Sequence, residues 1–196
     1  MANLQDFINH LESKVGKSIY VWGGQGQHGL QITKAWIRSR ENSITNINRV
    51  VKFWEKLLKT YLAEEIYAYD CSGLGMHFLY NMHKIFEMDL NSNYMMKRCK
   101  AIQKSELAKG DWVFRTENGK AYHIGYVVDD KLNVIHAKGR DVGVVKEPIT
   151  ANGNEFWTDY GRPNCFAKEI GVVDETVKGL QISLNKAYDS DLKTDN

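Results

Sequence analysis

The hydrophobic pattern changes period once along this chain of 196 residues, and that change limits the fold more than any other feature. Before residue 100, apolar side chains recur every three or four positions, which is typical of amphipathic helices. From residue 111 onward, short β-prone runs are separated by Gly, Asn, Asp or Pro, which indicates an antiparallel meander. The runs cover residues 111–114, 122–128, 132–137, 142–145 and 164–167. Helices first and strands second predict the α+β class.

Three helices and one early strand are predicted before the change of period. The first helix covers residues 4–15 and ends at Gly16, the second covers 43–61, and the third covers 71–86. Residues 18–22 are β-prone and stop at a pair of glycines, where a tight bend is expected. Residues 25–40 are polar and predict a loop with one turn of helix.

Cys71 stands where the third helix is predicted to begin, directly after Asp70. Unpaired backbone N–H groups and the helix dipole at this end favour the thiolate, which is the nucleophilic form of cysteine. Ser72 and Gly73 add little bulk, so the sulfur is expected to face a cleft. The alternative is a small buried residue at a helix start, which is common for free cysteines.

Two histidines, His123 and His136, lie in adjacent predicted strands. A two-residue or four-residue turn places Gly125 opposite His136, and the histidines become diagonal neighbours about 7 to 8 Å apart on one face. A three-residue turn reverses the parity and separates them. With Gly125 leaving space, one imidazole can orient the other as a general base for Cys71. The alternatives are structural histidines and a zinc site formed by Cys71, His123 and His136.

The composition argues against several classes of protein. Hydrophobic residues make up 43% and charged residues 26%, and the net charge of +2 gives no indication of nucleic-acid binding. Three cysteines without CxxC spacing predict neither a disulfide framework nor a zinc ribbon. No stretch is apolar enough for a signal peptide or a membrane span. We expect a monomer that is made in the cytoplasm, does not insert into membranes and reaches any extracellular target by another route.

Five motifs in combination resemble the NlpC-type cell-wall peptidases, papain-like cysteine enzymes that cut the stem peptides of bacterial peptidoglycan. The motifs are YVWGG at 20–24, DCSGL at 70–74, KGDWVFR at 109–115, HIGYVV at 123–128 and VIHAKGRDVGVV at 134–145. The resemblance covers about residues 1–170. It implies a papain-like α+β domain in which N-terminal helices, with the nucleophile at a helix start, pack on an antiparallel sheet.

By position, the resemblance makes Cys71 the nucleophile, His123 the general base and acid, and His136 the residue that orients the base. The implied activity is that of a cysteine peptidase without a metal or other cofactor. Its leading substrate is the bond between D-glutamate and the diamino acid of the stem peptide. The alternatives are an N-acetylmuramoyl-L-alanine amidase, a cross-bridge peptidase and a wall-binding module without activity. A lipid acyltransferase is disfavoured because the cysteine precedes the histidines.

Four further residues are expected at the substrate. Tyr20 matches a tyrosine that lines the cleft of the family, and Asp70 and Ser72 match positions associated with the free amino end of a stem peptide. Asp70 also qualifies as a helix cap. Arg140 has the fork geometry that suits a substrate carboxylate, and a surface salt bridge is its alternative role.

The chain departs from the family pattern between YVWGG and DCSGL. Simple members join these motifs by a short connection, whereas here a polar loop and the helix of residues 43–61 intervene, and we expect this insertion to wall one side of the cleft. Such insertions without a signal peptide resemble phage-derived lysins, which act on the wall after release. Residues 171–196 resemble a linker and the incomplete start of a peptidoglycan-binding module that follows the peptidase domain of residues 1–170.

Overall fold

The computed structural model describes residues 3–166 and 168–170, and its helices lie mainly in the first half of the chain. The first part of the chain forms α1 (Leu4–Glu12), β1 (Ser18–Tyr20), β2 (Gln25–His28), α2 (Lys34–Arg40), α3 (Ile44–Leu57), β3 (Tyr67–Tyr69), α4 (Gly73–Met76), a π-helical continuation of α4 (His77–Met82) and α5 (Ser92–Met96). The second part forms β4 (Cys99–Ile102), β5 (Trp112–Glu117), β6 (Lys120–Val127), β7 (Asn133–Gly139), β8 (Gly143–Pro148) and β9 (Asp159–Pro163). Short 3₁₀ turns lie at Gly29–Gln31, Ala63–Glu65 and Lys104–Glu106. The predicted α+β class is confirmed.

The strands form two sheets. The larger sheet has six strands in the order β4-β9-β5-β6-β7-β8, and all of its pairs are antiparallel. The smaller sheet has the order β1-β3-β2, with β1 parallel and β2 antiparallel to β3. The predicted meander is therefore present as β5 to β8. β3 leads directly to Cys71, so the small sheet positions one side of the candidate site and the large sheet positions the other.

Two predictions of local structure were wrong. Residues 25–40 form β2 and the seven-residue helix α2 instead of a loop, because Gln25–His28 pairs with β3 through its backbone and Thr33 caps α2 by accepting a hydrogen bond from the Trp36 amide at 3.0 Å. A polar strand has no apolar alternation to reveal it. The last strand covers Asp159–Pro163 instead of residues 164–167, and it inserts between β4 and β5.

The helix that follows Cys71 is also shorter than its pattern predicted. It ends at Met82, after four α-helical and six π-helical residues. The amides of Ile85 and Phe86 both donate to the Leu79 carbonyl, at 2.7 and 3.1 Å, so the chain folds back over the helix end. Lys84 takes a left-handed conformation there, with φ of 52°. The apolar residues 85 and 86 keep the helical spacing in sequence but pack from a turn.

Three groups of buried side chains hold the elements together. The largest joins α1 and α4 to one face of the six-stranded sheet, with the Phe7 ring 5.4 Å from Phe78 and 5.4 Å from Tyr126. A second core joins α2 and α3 to the small sheet through Ile37, Val50 and their neighbours. A third lies on the other face of the large sheet and is formed by Val113, Val127, Val134 and Trp157.

Among residues 3–166 and 168–170, none of the helices combines the length with the apolar run that crossing a bilayer requires.

Candidate active site

Asp70 fixes the backbone on both sides of the predicted nucleophile. Its Oδ1 accepts hydrogen bonds from the Gly73 amide at 2.6 Å and the Ser72 hydroxyl at 3.2 Å, and its Oδ2 accepts from the Gly23 amide at 2.9 Å. Asp70 is thus the cap of α4 and ties the bend after β1 to the first turn of that helix. Gly73 is required here, because a Cβ would lie 1.9 Å from the Gly24 carbonyl oxygen.

The Cys71 thiol packs against the part of the β6 backbone edge that does not pair with β7. Its Sγ lies 3.8 Å from the Tyr122 carbonyl oxygen, and the amides of Ser72 and Ile124 also point at the sulfur. The residue is only 9% exposed. Burial, with a smaller contribution from the charge of Asp70, raises the pKa of the Cys71 thiol to about 12. The sulfur is therefore buried and not open to a cleft as the sequence predicted, and its burial favours the thiol over the predicted thiolate.

The histidine strands have the register that a four-residue turn predicted. Tyr126 pairs with Ile135 and Val127 with Val134, and the Val128 amide donates to the Asn133 carbonyl across residues 129–132. His123 Nε2 and His136 Nδ1 lie 2.8 Å apart. β6 and β7 are paired only at positions 126 and 127 of β6, so the edge beyond them is open to receive Cys71.

Glu147 on β8 extends the histidine pair. Its Oε1 lies 3.1 Å from His136 Nε2, and its other oxygen lies 2.8 Å from the Lys138 ammonium. Glu147 was not predicted from the sequence, because the predicted strand ended at residue 145. A longer β8 pairs Glu147 with Val134, two residues from His136 on the same face of the sheet. That alternation is the signal that identifies it.

The order of hydrogen bonds determines which nitrogen of His123 is basic. An ionised carboxylate can only accept, so His136 carries its proton on Nε2. The bare Nδ1 of neutral His136 then accepts from His123 Nε2–H, which leaves Nδ1 of His123 without a proton. Burial lowers the pKa of His123 to about 3, with His136 and Arg115 contributing, and burial also lowers the pKa of His136. The lowered pKa values favour the neutral form of both rings.

These contacts do not suit the zinc alternative. The two nitrogens that face each other at 2.8 Å share a hydrogen bond and cannot both point at one metal ion. Within the described ranges 3–166 and 168–170, no group of three or more His, Cys, Asp or Glu side chains is placed to hold a metal.

Aromatic side chains cover the histidine pair. The Trp157 ring stacks on His123 at 5.5 Å with an interplanar angle of 8°, and its edge faces His136 at 5.2 Å. The space above Gly125 is filled and not open as predicted, because a Cβ there would lie 2.5 Å from Val134 and 2.8 Å from Trp157. Glycine at position 125 therefore lets Trp157 pack against both histidines.

The other predicted substrate residues lie on the small-sheet side of Cys71. Tyr20 is buried, and burial together with the nearby Cys71 raises the pKa of its hydroxyl. The Arg140 guanidinium lies 5.2 Å from the Tyr20 ring and pairs at 2.7 Å with Glu41, whose side chain is fully buried. Glu41 also accepts from the Trp22 amide at 3.1 Å. Arg140 is thus engaged in a largely buried ion pair, and sequence reasoning did not identify its partner.

Comparison with known proteins identifies a sequence family and a set of similar structures. The sequence model of the NlpC/P60 family matches residues 16–160. The NlpC/p60 domain of the peptidoglycan hydrolase SagA is 15% identical, with a TM-score of 0.50 over 82% of this chain and 98% of that one. The P60 domain of an antigen from M. avium subspecies paratuberculosis is 15% identical, with a TM-score of 0.50 over 81% and 93%.

A third structure is the peptidoglycan hydrolase RipB from Mycobacterium tuberculosis, which is 18% identical, with a TM-score of 0.53 over 81% of this chain and 63% of that one. No curated protein sequence matches the chain. The structural similarities concern the fold, and they confirm the predicted papain-like arrangement of helices on an antiparallel sheet.

Proposed function

This chain belongs to the NlpC/P60 family, and on that basis we propose that it is a peptidoglycan hydrolase, a cysteine endopeptidase acting on the peptide stems of the bacterial cell wall. The observation that carries the proposal is the 2.8 Å contact between His123 and His136 on the strand edge against which the Cys71 thiol packs. A nucleophile, a base and an orienting residue are the parts that acyl transfer through a thiol requires.

In the proposed reaction, His123 takes the proton of the Cys71 thiol on Nδ1 while the sulfur attacks the peptide carbonyl carbon. Deprotonation accompanies attack, because both partners are neutral at rest. Backbone N–H groups around Cys71 hold the oxyanion, and the C–N bond breaks as His123 returns the proton to the leaving amine. Water, activated by the same nitrogen, then releases the acyl group from sulfur.

The chain from His123 to Glu147 supports this assignment of roles. The His123 imidazolium that forms during attack donates from Nε2 to His136, and the negative charge of Glu147 lies behind His136. The fixed position of His136 and the negative charge of Glu147 therefore stabilise the protonated form of His123 as it forms. Trp157 packs on both rings and reduces their contact with water, which strengthens these bonds.

We propose the bond between D-glutamate and the diamino acid as the one cleaved, with Tyr20, Asp70 and Ser72 at the free amino end of the stem peptide. Burial raises the pKa of the Asp70 carboxyl. Within the described part of the chain, no cation pairs with this carboxyl to offset the cost of burial. Its three hydrogen-bond donors favour the ionised form. A substrate ammonium would supply the missing positive charge.

A role as a phage-derived lysin, a monomer released to act on the wall, is also a proposal and rests on the sequence pattern. The predicted wall-binding module at residues 171–196 lies outside the described residues.

Digestion of purified peptidoglycan tests the proposal. We expect the wild-type chain to release muropeptides with a free amino end on the diamino acid, as identified by mass spectrometry, and Cys71→Ala to release none. Cys99→Ala is the matched control, because Cys99 is a free thiol in β4 outside the site. Free amino ends on L-alanine would indicate an amidase instead. Equal release by wild type and Cys71→Ala would reject the mechanism, and wall binding without release by either would favour a binding module.

A further inference from the structure

A pocket lies close to Tyr20, because Arg140, which packs on the Tyr20 ring, is one of its lining residues. Its volume is about 350 Å³, and it is lined by Trp22, Arg40, Glu41, Asn42, Asn46 and Arg140. Four of these residues, at positions 40 to 46, come from the end of α2 and the start of α3. The insertion between the YVWGG and DCSGL motifs therefore builds most of this pocket.

The pocket is joined to the candidate active site by direct contacts. Arg140 is shared between them, because its guanidinium lines the pocket and also lies 5.2 Å from the Tyr20 ring. The adjacent Gly23 donates its amide to Asp70 at 2.9 Å. A peptide held at Cys71 and Asp70 thus has the mouth of this pocket within reach of its next side chain or carboxylate.

The charges in the pocket leave one cation without a partner. Glu41 is satisfied by Arg140 and by the Trp22 amide. Arg40 is exposed and lies 5.9 Å from the Trp36 ring, and in the described part of the chain no carboxylate lies within ion-pair distance of it. One of its terminal nitrogens is 3.7 Å from the position of a Cβ on Gly23, so the guanidinium stands over the bend after β1.

The remaining lining residues add donors and an apolar surface. Asn46 donates to the Asn42 side-chain oxygen at 3.0 Å, which fixes the Asn42 amide with its nitrogen available as a donor. Trp22 is 64% exposed, which is unusual for so large an apolar ring in a cleft. A free guanidinium, an amide donor and an exposed indole together suit a carboxylate on a peptide whose apolar atoms pack on the ring.

We propose that this pocket is a specificity subsite that binds a free carboxylate of the substrate peptide, with Arg40 as its ion-pair partner. The inference rests on the proposed peptidase function and extends it. The sequence predicted that the Arg140 guanidinium binds a substrate carboxylate. In the structure Arg140 instead pairs with Glu41 in the pocket wall, and Arg40 of the insertion is the residue that would bind the carboxylate. Peptides whose carboxylate is converted to a carboxamide are then poor substrates.

Two synthetic stem peptides that differ only in a carboxylate or carboxamide beside the scissile bond test the subsite. We expect the wild type to prefer the carboxylate peptide about tenfold in kcat/KM, and Arg40→Met to reduce this ratio to about one, mainly through KM. Arg40→Lys should retain part of the preference, because the charge remains and the fork is lost. Arg38→Met is the matched control, since residues two apart on α2 do not share a face.

The outcomes separate the subsite from the proposed function. Equal cleavage of both peptides by the wild type, or an unchanged ratio in Arg40→Met, would overturn the subsite while leaving the peptidase standing. If the wild type cleaves neither peptide, calorimetry with Cys71→Ala decides. If Cys71→Ala binds the carboxylate peptide more tightly than the carboxamide peptide, and adding Arg40→Met removes this difference, the subsite is supported although the peptides are not cleaved. Absence of binding would reject both.

Discussion

Cys71 adjoins two regions that hold their charges in different ways. The histidine face consists of β6 to β8 and Trp157, and its polar groups form a chain of hydrogen bonds from His123 through His136 to Glu147. His136, in the middle of this chain, is fully buried. The insertion wall, which consists of residues 29–66, presents Arg40 to solvent, and the one charged side chain that it buries is Glu41. The first arrangement suits a base that must be held in one tautomer, and the second suits recognition of a charge that the substrate brings.

The two regions also differ in how the chain assembles them. The strands of the histidine face, β6 to β8, are consecutive in the chain, and each pairs with the next. The wall packs on the small sheet through a core of its own and reaches the cleft through Arg140 of the loop after β7. Changes to the wall are therefore expected to alter substrate preference or stability, and changes to the histidine face are expected to alter turnover.

Of the variants that distinguish the histidine face from the wall, a change at Glu147 is expected to have the largest effect, and that effect is on kcat. In Glu147→Leu, His136 Nε2–H loses its acceptor, both tautomers of His136 become accessible, and His123 is no longer held with a bare Nδ1. We expect kcat to fall between about tenfold and a hundredfold, the range typical of groups that orient a functional histidine from behind, with KM little changed. Steady-state kinetics on a stem peptide, together with the pH dependence of kcat, measures this.

Two variants separate this orienting role from a structural one. Glu147→Gln keeps an oxygen that accepts from His136 and should recover most of the lost kcat. Lys138→Met removes the ion pair with Glu147 and leaves the histidine contact intact, so its kcat should stay within about threefold of wild type. If Lys138→Met is as slow as Glu147→Leu, the fall in kcat comes from loss of the ion pair between Lys138 and Glu147. It then does not come from loss of control over the His136 tautomer.

The same comparison explains how far the sequence could predict the site. The contact between His123 and His136 was predictable because side chains alternate along strands, so the parity of one turn decides whether two residues share a face. The burial of Cys71 was not predictable from the helix start at Asp70, because it depends on the open edge of β6, which is distant in sequence. Local signals favoured the thiolate, and a tertiary contact reversed them.

The small-sheet side of the cleft, which includes β2 and the wall, was harder to predict than the histidine face for two reasons. The sequence Gln25–His28 has no apolar alternation, although it pairs with β3 through its backbone. The ion pair between Glu41 and Arg140 joins residues 99 positions apart, and neither position lies in a periodic pattern that indicates a partner. Long charged side chains reach several possible partners, so their pairing follows from the fold and not from local spacing.

A smaller effect, on stability and not on chemistry, is expected in the wall. Glu41→Ala removes a fully buried carboxylate and leaves Arg140 and the Trp22 amide without their acceptor. We expect the free energy of unfolding, measured with urea, to fall by about 2 kcal/mol, since a mostly buried charge is left unpaired. Glu55→Ala breaks the half-exposed pair with Lys34 and should cost less than about 0.5 kcal/mol. Equal losses in the two variants would contradict the buried role of Glu41.

The smallest effect concerns acid, and it distinguishes the wall from the rest of the molecule because all six histidines lie outside residues 29–66. The His10 ring packs 5.2 Å from His77, and its Nε2 is buried with no hydrogen-bond partner in the described part of the chain. Burial, followed by the nearby His77, lowers the pKa of His10 to about 3. Because the unfolded chain titrates near 6.5, it binds the extra proton first, so this contribution to stability is complete above pH 6.5 and is lost as the pH falls toward 3.

His10→Phe keeps an aromatic ring against His77 and Phe78 and removes the titration. Between pH 7.5 and 5.5 we therefore expect the variant to lose about 1 kcal/mol less of its unfolding free energy than the wild type does. Urea unfolding at the two pH values measures the difference, with pH 7.5 as the internal reference for any change in packing. His77, whose pKa burial lowers to about 4, still titrates in the variant, so some acid sensitivity remains. If both proteins lose the same free energy, His10 is not held neutral by the fold, and the acid response must come from other titrating groups such as His77.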